Sequence, residues 1–314
     1  MIKRLLICLL VIQAGAALAI AAAVYHLFAS VLPAAPAWAV AVVLGLSAVL
    51  LVRMLISANN FFLSWRSRSA APAIHALTPL RALRLFLHEF GASLRTSSYD
   101  MLRPLGWQVS TQQRGLPVLL IHGYGCNSGY WHPMSRHLRA AGISHYGIDL
   151  EPPGADIDAF APQVHAAIER LCAATGSKQV IILAHSMGGL VARAYLRRHG
   201  RAHIARVITL GTPHHGTALA NFGPGSNAAQ MRCGSSWLGA LGENATNEAN
   251  LQRVLFCSIY SVHDNIIAPQ NSSELPGARN LVFGAIGHVA LGSHPDIVRC
   301  ALEEIVSTQQ CDFV

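Results

Sequence analysis

From residue 115 onward, short apolar runs alternate with segments that have helical periodicity. The apolar runs predict six strands, at 117–121, 144–150, 179–184, 206–210, 254–260 and 280–285. The segments between them predict helices at 131–141, 157–175 and 188–199, and a closing helix at 296–307. Strands separated by helices usually pair in parallel, and helices cover both faces of their sheet. We therefore predict an α/β fold whose ligand site lies beyond the carboxyl ends of the strands.

The third predicted strand leads straight into a helix through the run AHSMGG at 184–189. A serine on such a sharp turn has an exposed oxygen, and small neighbours two residues away on either side let the turn close. Here those neighbours are Ala184 and Gly188; alanine adds only a methyl group to the glycine that is usual at the first position. Because a serine hydroxyl needs a base to take its proton, we predict that Ser186 is a nucleophile with a histidine partner.

The partners of a serine on this turn follow it in the order acid, then histidine. Asp264 comes shortly after the fifth predicted strand, and we predict that it orients the histidine and stabilises its charged form. Glu274 is the alternative acid. His288 follows the last predicted strand and is the predicted base, with His294 as the alternative.

The loop HGYG at 122–125 follows the first predicted strand, where N–H donors can stabilise negative charge on a carbonyl oxygen. We predict that the N–H groups of Tyr124 and Met187 form this oxyanion hole. The predicted substrate-binding residues are His122, Gly123, Thr212, Pro213, His214 and Trp237. A long connection between strands, 213–252, predicts a cap or lid, and its apolar side chains favour a hydrophobic acyl substrate.

Two adjacent histidines, His214 and His215, raise the question of a metal site. No carboxylate lies near them in the sequence, and the seven cysteines form no C-x-x-C pair. Loop packing therefore explains the two histidines better, and we predict neither a metal nor a cofactor. The odd number of cysteines favours free thiols in a reducing compartment.

Two apolar segments precede this domain, at 5–29 and 37–56, and each is long enough to cross a bilayer as a helix. The alternative for the first segment is a secretory signal cleaved near 17–19 or 21–23. Basic residues lie at the outer ends of both segments and the connector has none, which predicts a hairpin with both ends in the cytoplasm. The basic residues concerned are Lys3, Arg4, Arg53, Arg66 and Arg68. We therefore predict an inner-membrane protein with two helices and a cytoplasmic catalytic domain.

The formal net charge of +8 lies entirely in the first 114 residues. Residues 1–72, the predicted hairpin and linker, carry +5; the connecting region 73–114 carries +3; and the domain 115–314 is neutral. This distribution favours a membrane surface and argues against nucleic acid as a partner. Within the connecting region, leucines spaced by three and four residues over 74–95 predict an amphipathic helix. Such a helix packs on the domain or lies on anionic lipid, and the sequence leaves both open.

The motifs HGYG, AHSMGG and GTPHHG (211–216) together resemble the bacterial triacylglycerol lipase and esterase branch of the α/β-hydrolases, over roughly residues 115–308. The resemblance implies the α/β-hydrolase fold, a triad of Ser186, Asp264 and His288, and hydrolysis of lipid acyl esters through an acyl-serine intermediate. Some secreted relatives bind structural calcium, for which this sequence has no clear acidic cluster. The two apolar segments are a departure from the secreted members. Acyl transfer by the same triad and a non-catalytic membrane scaffold are the competing hypotheses.

Overall fold

Seven strands form one sheet among residues 1–31, 33–242 and 255–310, which are the residues that the computed structural model describes. The strands are β1 (Gly106–Gln108), β2 (Val118–Ile121), β3 (His145–Ile148), β4 (Val180–His185), β5 (Ile204–Leu210), β6 (Phe256–Ser261) and β7 (Arg279–Phe283). Their order is β1-β3-β2-β4-β5-β6-β7, and every neighbouring pair is parallel except β1 with β3. The predicted α/β fold with a mostly parallel sheet is confirmed.

Strand β1 is the one strand of this sheet that the sequence did not predict. It has three residues and lies before the predicted start of the domain at 115. Its pairing with β3 places Trp107 beside Tyr146, and the two rings stack with their centroids 4.1 Å apart. A three-residue strand has too few positions for an alternating pattern to be recognised.

Helices cover both faces of the sheet. They are α4 (His132–Ala140), α5 (Ala161–Thr175), α6 (Met187–His199), the short α7 (Ser226–Gln230) and α8 (Ser236–Gly242), and α9 (Pro295–Gln310). Successive residues of β4 point to opposite faces, so Ile182 belongs to the core under α5 and α6, whereas Ile181 belongs to the core under α4 and α9. All six residues of β4 are buried, which explains why the strand reads as a continuous apolar run.

Two long apolar helices precede the sheet: α1 (Ile2–Phe28) and α2 (Ala34–Arg66). Each has a mean hydropathy of 2.6 over its most apolar window, and each is long and apolar enough to cross a membrane. They pack through small residues, since a Cβ added to Gly45 would lie 2.3 Å from the carbonyl oxygen of Ala17. Near the connector, the rings of Tyr25 and Trp38 stack with centroids 4.3 Å apart. The second helix continues to Arg66, beyond its predicted end at 56.

The predicted amphipathic helix is α3 (Pro79–Ser98), and Thr78 caps it by accepting the N–H of Arg81. Its orientation differs from that of an ordinary surface helix. Leu85 and Glu89 are buried, whereas much of the predicted leucine stripe is exposed, namely Leu80, Leu83 and Leu87. The guanidinium of Arg53 on α2 donates to Ser98 Oγ (2.9 Å) and Gln13 Oε1 (3.3 Å), and these bonds join α1, α2 and α3.

Candidate active site

Ser186 lies on a sharp turn between β4 and α6, with φ 55° and ψ −127°. The backbone of a non-glycine residue is strained at positive φ, so the surrounding structure must hold this conformation. The Ser186 N–H donates to the carbonyl of Leu210 (2.9 Å), and the Thr212 hydroxyl donates to the Ser186 carbonyl (2.9 Å). A Cβ on Gly188 would lie 2.6 Å from the Ile121 carbonyl oxygen, so only glycine allows this close approach.

The acid and the histidine meet across the ends of the last two strands. Asp264 follows β6 and His288 follows β7, and His288 Nδ1 lies 2.7 Å from Asp264 Oδ2. Both side chains are buried, at 2% and 5% exposure. The other oxygen of Asp264 accepts the N–H groups of Ile266 and Ile267, each at 2.8 Å. The carboxylate is therefore fixed by three hydrogen bonds, in an orientation that presents one oxygen to the imidazole.

The charge of His288 is set by opposing effects. Burial lowers the pKa of His288, whereas the Asp264 carboxylate, its hydrogen bond and the nearby Glu89 raise it, and the resulting pKa lies above the usual value. A buried histidine with a carboxylate partner is a stronger base than a free imidazole. This is the property that proton transfer from a serine requires.

His185 connects the serine turn to the histidine loop. This residue precedes Ser186, and its ring lies against that of His288 with centroids 4.6 Å apart. His185 Nε2 lies 3.1 Å from the His288 carbonyl oxygen, which fixes that nitrogen as the donor. Burial and the neighbouring His288 hold the pKa of His185 well below its usual value, so the ring stays neutral. The structure thus bonds His288 to Asp264 and sets the ring of His185, the residue before Ser186, against that of His288. That Ser186, Asp264 and His288 act as a triad stays a prediction.

A cavity of about 390 Å³ lies beside this corner, at the carboxyl ends of β2 and β4. Four of the predicted site residues line it: His122, Gly123, Tyr124 and Met187. The Leu150 N–H donates to His122 Nε2 (3.1 Å), so His122 Nδ1 carries the proton that it donates to the Gly123 carbonyl (2.8 Å). This bond helps to fix the loop that holds the Tyr124 N–H.

The cavity also has walls that the sequence did not predict. Ile2 and Leu5 on the first turns of α1 line it, together with Phe160 and Asn227. The Met1 amino group pairs with the Glu151 carboxylate, and both groups are exposed. Nothing in the sequence pattern indicates that an apolar N-terminal helix reaches the cavity, because periodicity identifies a helix but not its partner.

Comparison with known proteins agrees with this architecture. A family profile described as alpha/beta hydrolase fold matches residues 117–232. The chain is 30% identical over 171 residues to a triacylglycerol lipase of Burkholderia plantarii (51% of this chain, 44% of that protein). It is 32% identical over 114 residues to one of Pseudarthrobacter phenanthrenivorans (34% and 35%). The chain thus spans less than half the length of either relative.

A solved structure shows the same fold. The mature form of a lipase from Bacillus licheniformis superposes with a TM-score of 0.56 at 18% identity, covering 65% of this chain and 99% of that one. The chain therefore has the α/β-hydrolase fold. The partial-length matches to triacylglycerol lipases confirm the resemblance to bacterial lipases that the three motifs indicate.

The loop after β5 supports the serine turn of this α/β-hydrolase fold. Thr212, Pro213 and His214 are buried, and none of them lines the cavity described above. Thr212 bonds to the Ser186 carbonyl, and His214 Nε2 lies 3.3 Å from the Thr209 hydroxyl. Burial, with Arg193 nearby, lowers the pKa of His214 well below its usual value. Across the described part of the chain, no group of three or more His, Cys, Asp or Glu residues is arranged to hold a metal.

The predicted lid is described as far as Gly242, and its residues 243–252 lie outside the described part of the chain. Trp237 on α8 donates its indole N–H to Asp158 Oδ2 (2.7 Å), and the Arg197 guanidinium lies 5.8 Å from the ring centroid. These contacts place Trp237 against the segments before α5 and at the end of α6. It is not among the residues that line the cavity.

Proposed function

We propose that this α/β-hydrolase cleaves carboxylic esters through an acyl-serine intermediate, with Ser186, Asp264 and His288 as its triad. The observation that carries the proposal is the 2.7 Å bond between His288 Nδ1 and Asp264 Oδ2, beside a serine held at φ 55°. The lipase relatives support the same reaction class. No cofactor enters the proposed reaction.

The proposed first half-reaction begins when His288 Nε2 takes the proton from the Ser186 hydroxyl, whose oxygen attacks the ester carbonyl carbon. Asp264 accepts the Nδ1–H and stabilises the imidazolium that forms. The N–H groups of Tyr124 and Met187 bond to the negative oxygen of the tetrahedral intermediate, which lowers the barrier. The carbon–oxygen bond to the leaving alcohol then breaks, and His288 gives its proton to that alcohol.

In the second half-reaction, water replaces the alcohol. His288 takes one proton from the water while the water oxygen attacks the acyl-serine carbonyl carbon. The bond to Ser186 Oγ then breaks, His288 returns the proton to Ser186, and the carboxylic acid leaves. Ser186, His288 and Asp264 therefore end the cycle in the protonation states in which they began.

We propose that the ester is a lipid and that α1 and α2 anchor the enzyme in a membrane. Ile2 and Leu5 line the cavity, so the proposed acyl pocket adjoins the start of an apolar helix. At the end of α2, the Ser64 hydroxyl donates to the Asp264 carbonyl (2.8 Å). The catalytic domain thus contacts the helix ends that carry the basic residues. The positive-inside rule then favours an inner-membrane hairpin with the catalytic domain in the cytoplasm.

The reaction is tested with p-nitrophenyl acyl esters and a fluorophosphonate probe. Ser186→Ala should abolish both turnover and labelling while the protein stays folded. Ser307→Ala is the matched control, because its hydroxyl donates to the Glu304 carbonyl on α9, away from the triad (3.1 Å). Unchanged turnover in Ser186→Ala would contradict the proposed nucleophile. Product analysis with added glycerol separates hydrolysis from acyl transfer.

The orientation is tested with a membrane-impermeant thiol reagent on intact spheroplasts. Cys233 is an exposed free thiol in the catalytic domain, and Ser30 lies at the connector between the two helices. Cys233 should label only after the inner membrane is opened, whereas a cysteine introduced by Ser30→Cys should label in intact spheroplasts. Labelling of Cys233 in intact spheroplasts, absent from Cys233→Ser, would place the catalytic domain on the outside.

A further inference from the structure

A buried carboxylate on a helix that precedes the sheet contacts the loop that carries His288. Glu89 lies on α3 and is 2% exposed. Its Oε1 accepts the N–H of Val289 (2.9 Å), and its Oε2 accepts the N–H of Ala290 (3.0 Å). These are the two residues that follow His288. The backbone that carries the proposed base is therefore held by both oxygens of a single side chain.

The arrangement fits an ionised carboxylate and no other side chain of this length. Two N–H donors point at two oxygens, and charge-assisted bonds of this kind are the strong ones. A glutamine would place its NH₂ group against one of the two donors. A Cβ added to Gly287 would lie 2.5 Å from the Glu89 carboxyl carbon, so glycine at 287 permits the loop to wrap closely around the carboxylate.

The charged and titratable groups around His288 come from four directions. Asp264, which follows β6, bonds to the ring, and Glu89 on α3 bonds to the backbone that follows His288. His185 precedes the serine, and Tyr130 stacks on His185 with centroids 4.3 Å apart. Burial raises the pKa of Glu89, against the effect of its two backbone hydrogen bonds and of His288. His185 stays neutral, so the two carboxylates are the charges that act on His288.

We propose that Glu89 is a positioning residue, which holds the loop of His288 so that the imidazole stays aligned between Asp264 and Ser186. The proposal deepens the proposed function and rests on it. Its consequence is that α3, which precedes the hydrolase sheet, belongs to the catalytic apparatus.

The acid loop is held from the N-terminal side in a similar way. Ser64 Oγ on the last turn of α2 donates to the Asp264 carbonyl (2.8 Å) and accepts from Gln270 Nε2 (2.9 Å). Gln270 Nε2 also lies 2.9 Å from the same carbonyl. Both partners of the proposed nucleophile are thus fixed by residues of helices that come before the sheet.

The test compares Glu89→Gln and Glu89→Asp with the full-length wild-type protein. Glu89→Gln should lower kcat by about 10- to 100-fold with little change in KM, because the base is displaced while the substrate pocket is intact. It should also move the acid limb of the kcat/KM profile to lower pH, because a negative charge that raises the pKa of His288 is removed. Glu89→Asp keeps the charge, so kcat should fall while the acid limb stays in place.

The matched control is Glu304→Gln. Glu304 is also a buried glutamate on a helix, 4% exposed, but it pairs with Arg206 (2.6 Å) and Arg279 (3.2 Å), away from the triad. Its loss should lower the melting temperature without moving the acid limb. If Glu89→Gln lowers kcat no more than Glu304→Gln does, or leaves the acid limb in place, the proposal is wrong.

A measurement independent of turnover separates the two proposals. The imidazole of His288 is titrated by NMR in protein labelled with ¹⁵N-histidine, and the signal is assigned by its loss in His288→Gln. A lower pKa of His288 in Glu89→Gln, but not in Glu89→Asp, supports the positioning role even if no ester is cleaved. An unchanged titration overturns that role even if the wild type is an active esterase.

Discussion

The strained backbone at Ser186 predicts how two substitutions of this residue should affect the stability of the fold, independently of catalysis. Ser186→Ala and Ser186→Gly both remove the hydroxyl, so neither variant should turn over esters. They differ in one atom, the Cβ, which alanine keeps at φ 55° and glycine lacks. Glycine adopts positive φ without a steric penalty. The glycine variant should therefore be the more stable of the two.

The expected difference follows from two opposing effects. A non-glycine residue held in a sparsely populated region costs about 1–3 kcal/mol, and glycine releases this strain. Glycine in turn loses about 0.4–1 kcal/mol through the greater freedom of its unfolded chain. The net advantage of glycine is then about 1 kcal/mol. For a domain of this size, that difference raises the melting temperature by roughly 2–4 °C.

The two variants are compared side by side by thermal unfolding in the same detergent, followed by near-UV circular dichroism. A matched pair of wild-type and Gly91→Ala proteins calibrates the comparison, because Gly91 lies on α3 with no atom within 4 Å of an added Cβ. Alanine at that unstrained helical position should stabilise the protein. If Ser186→Gly melts at or below Ser186→Ala, the serine turn does not store the strain that its dihedral angles indicate.

Three further outcomes follow from the geometry. Gly123→Ala would place a Cβ 2.8 Å from the Cβ of Ser186, so initial rates of ester cleavage should fall about 100-fold. Unaltered rates would contradict the close approach of Gly123 to Ser186. Asp264→Asn should lower kcat on the order of 10³–10⁴-fold in the same assay, because an amide cannot stabilise the imidazolium; a small effect would favour another acid. Burial lowers the pKa of His185 and His214 in the folded protein, so below pH of about 6.5 the unfolded chain binds more protons. Their stabilising contribution is therefore present above that pH and is lost as the pH falls, which denaturant titrations at pH 7.5 and 5.5 would detect as a drop in the unfolding free energy.

Much of the site could be predicted because its residues follow strands in the chain. Ser186, Asp264 and His288 each come after an apolar run, and parallel strands bring their carboxyl ends to the same edge of the sheet. The predicted meeting of Asp264 with His288 needed only this rule and the chain order.

Contacts from the N-terminal helices were beyond the reach of sequence patterns. Glu89 bonds to residues 200 and 201 positions further along the chain, and Ser64 bonds to one 200 positions further along. Periodicity shows which residues share a face of a helix, but it does not show what that face contacts. A single glutamate on a helix otherwise marked by leucines gives no signal that it is the buried residue.

The polarity of α3 is reversed relative to a helix that packs on a soluble domain. Glu89 points inward to the histidine loop, while Leu80, Leu83 and Leu87 on the same helix are 57%, 53% and 53% exposed. A row of exposed leucines is unfavourable in water, because removing each apolar side chain from water lowers the free energy. The exposed row lies on a helix that is joined to the two apolar helices through Arg53 and Ser98. Contact with lipid would remove the leucines from water while Glu89 stays paired, and this favours the lipid-facing interpretation of α3 that the sequence left open.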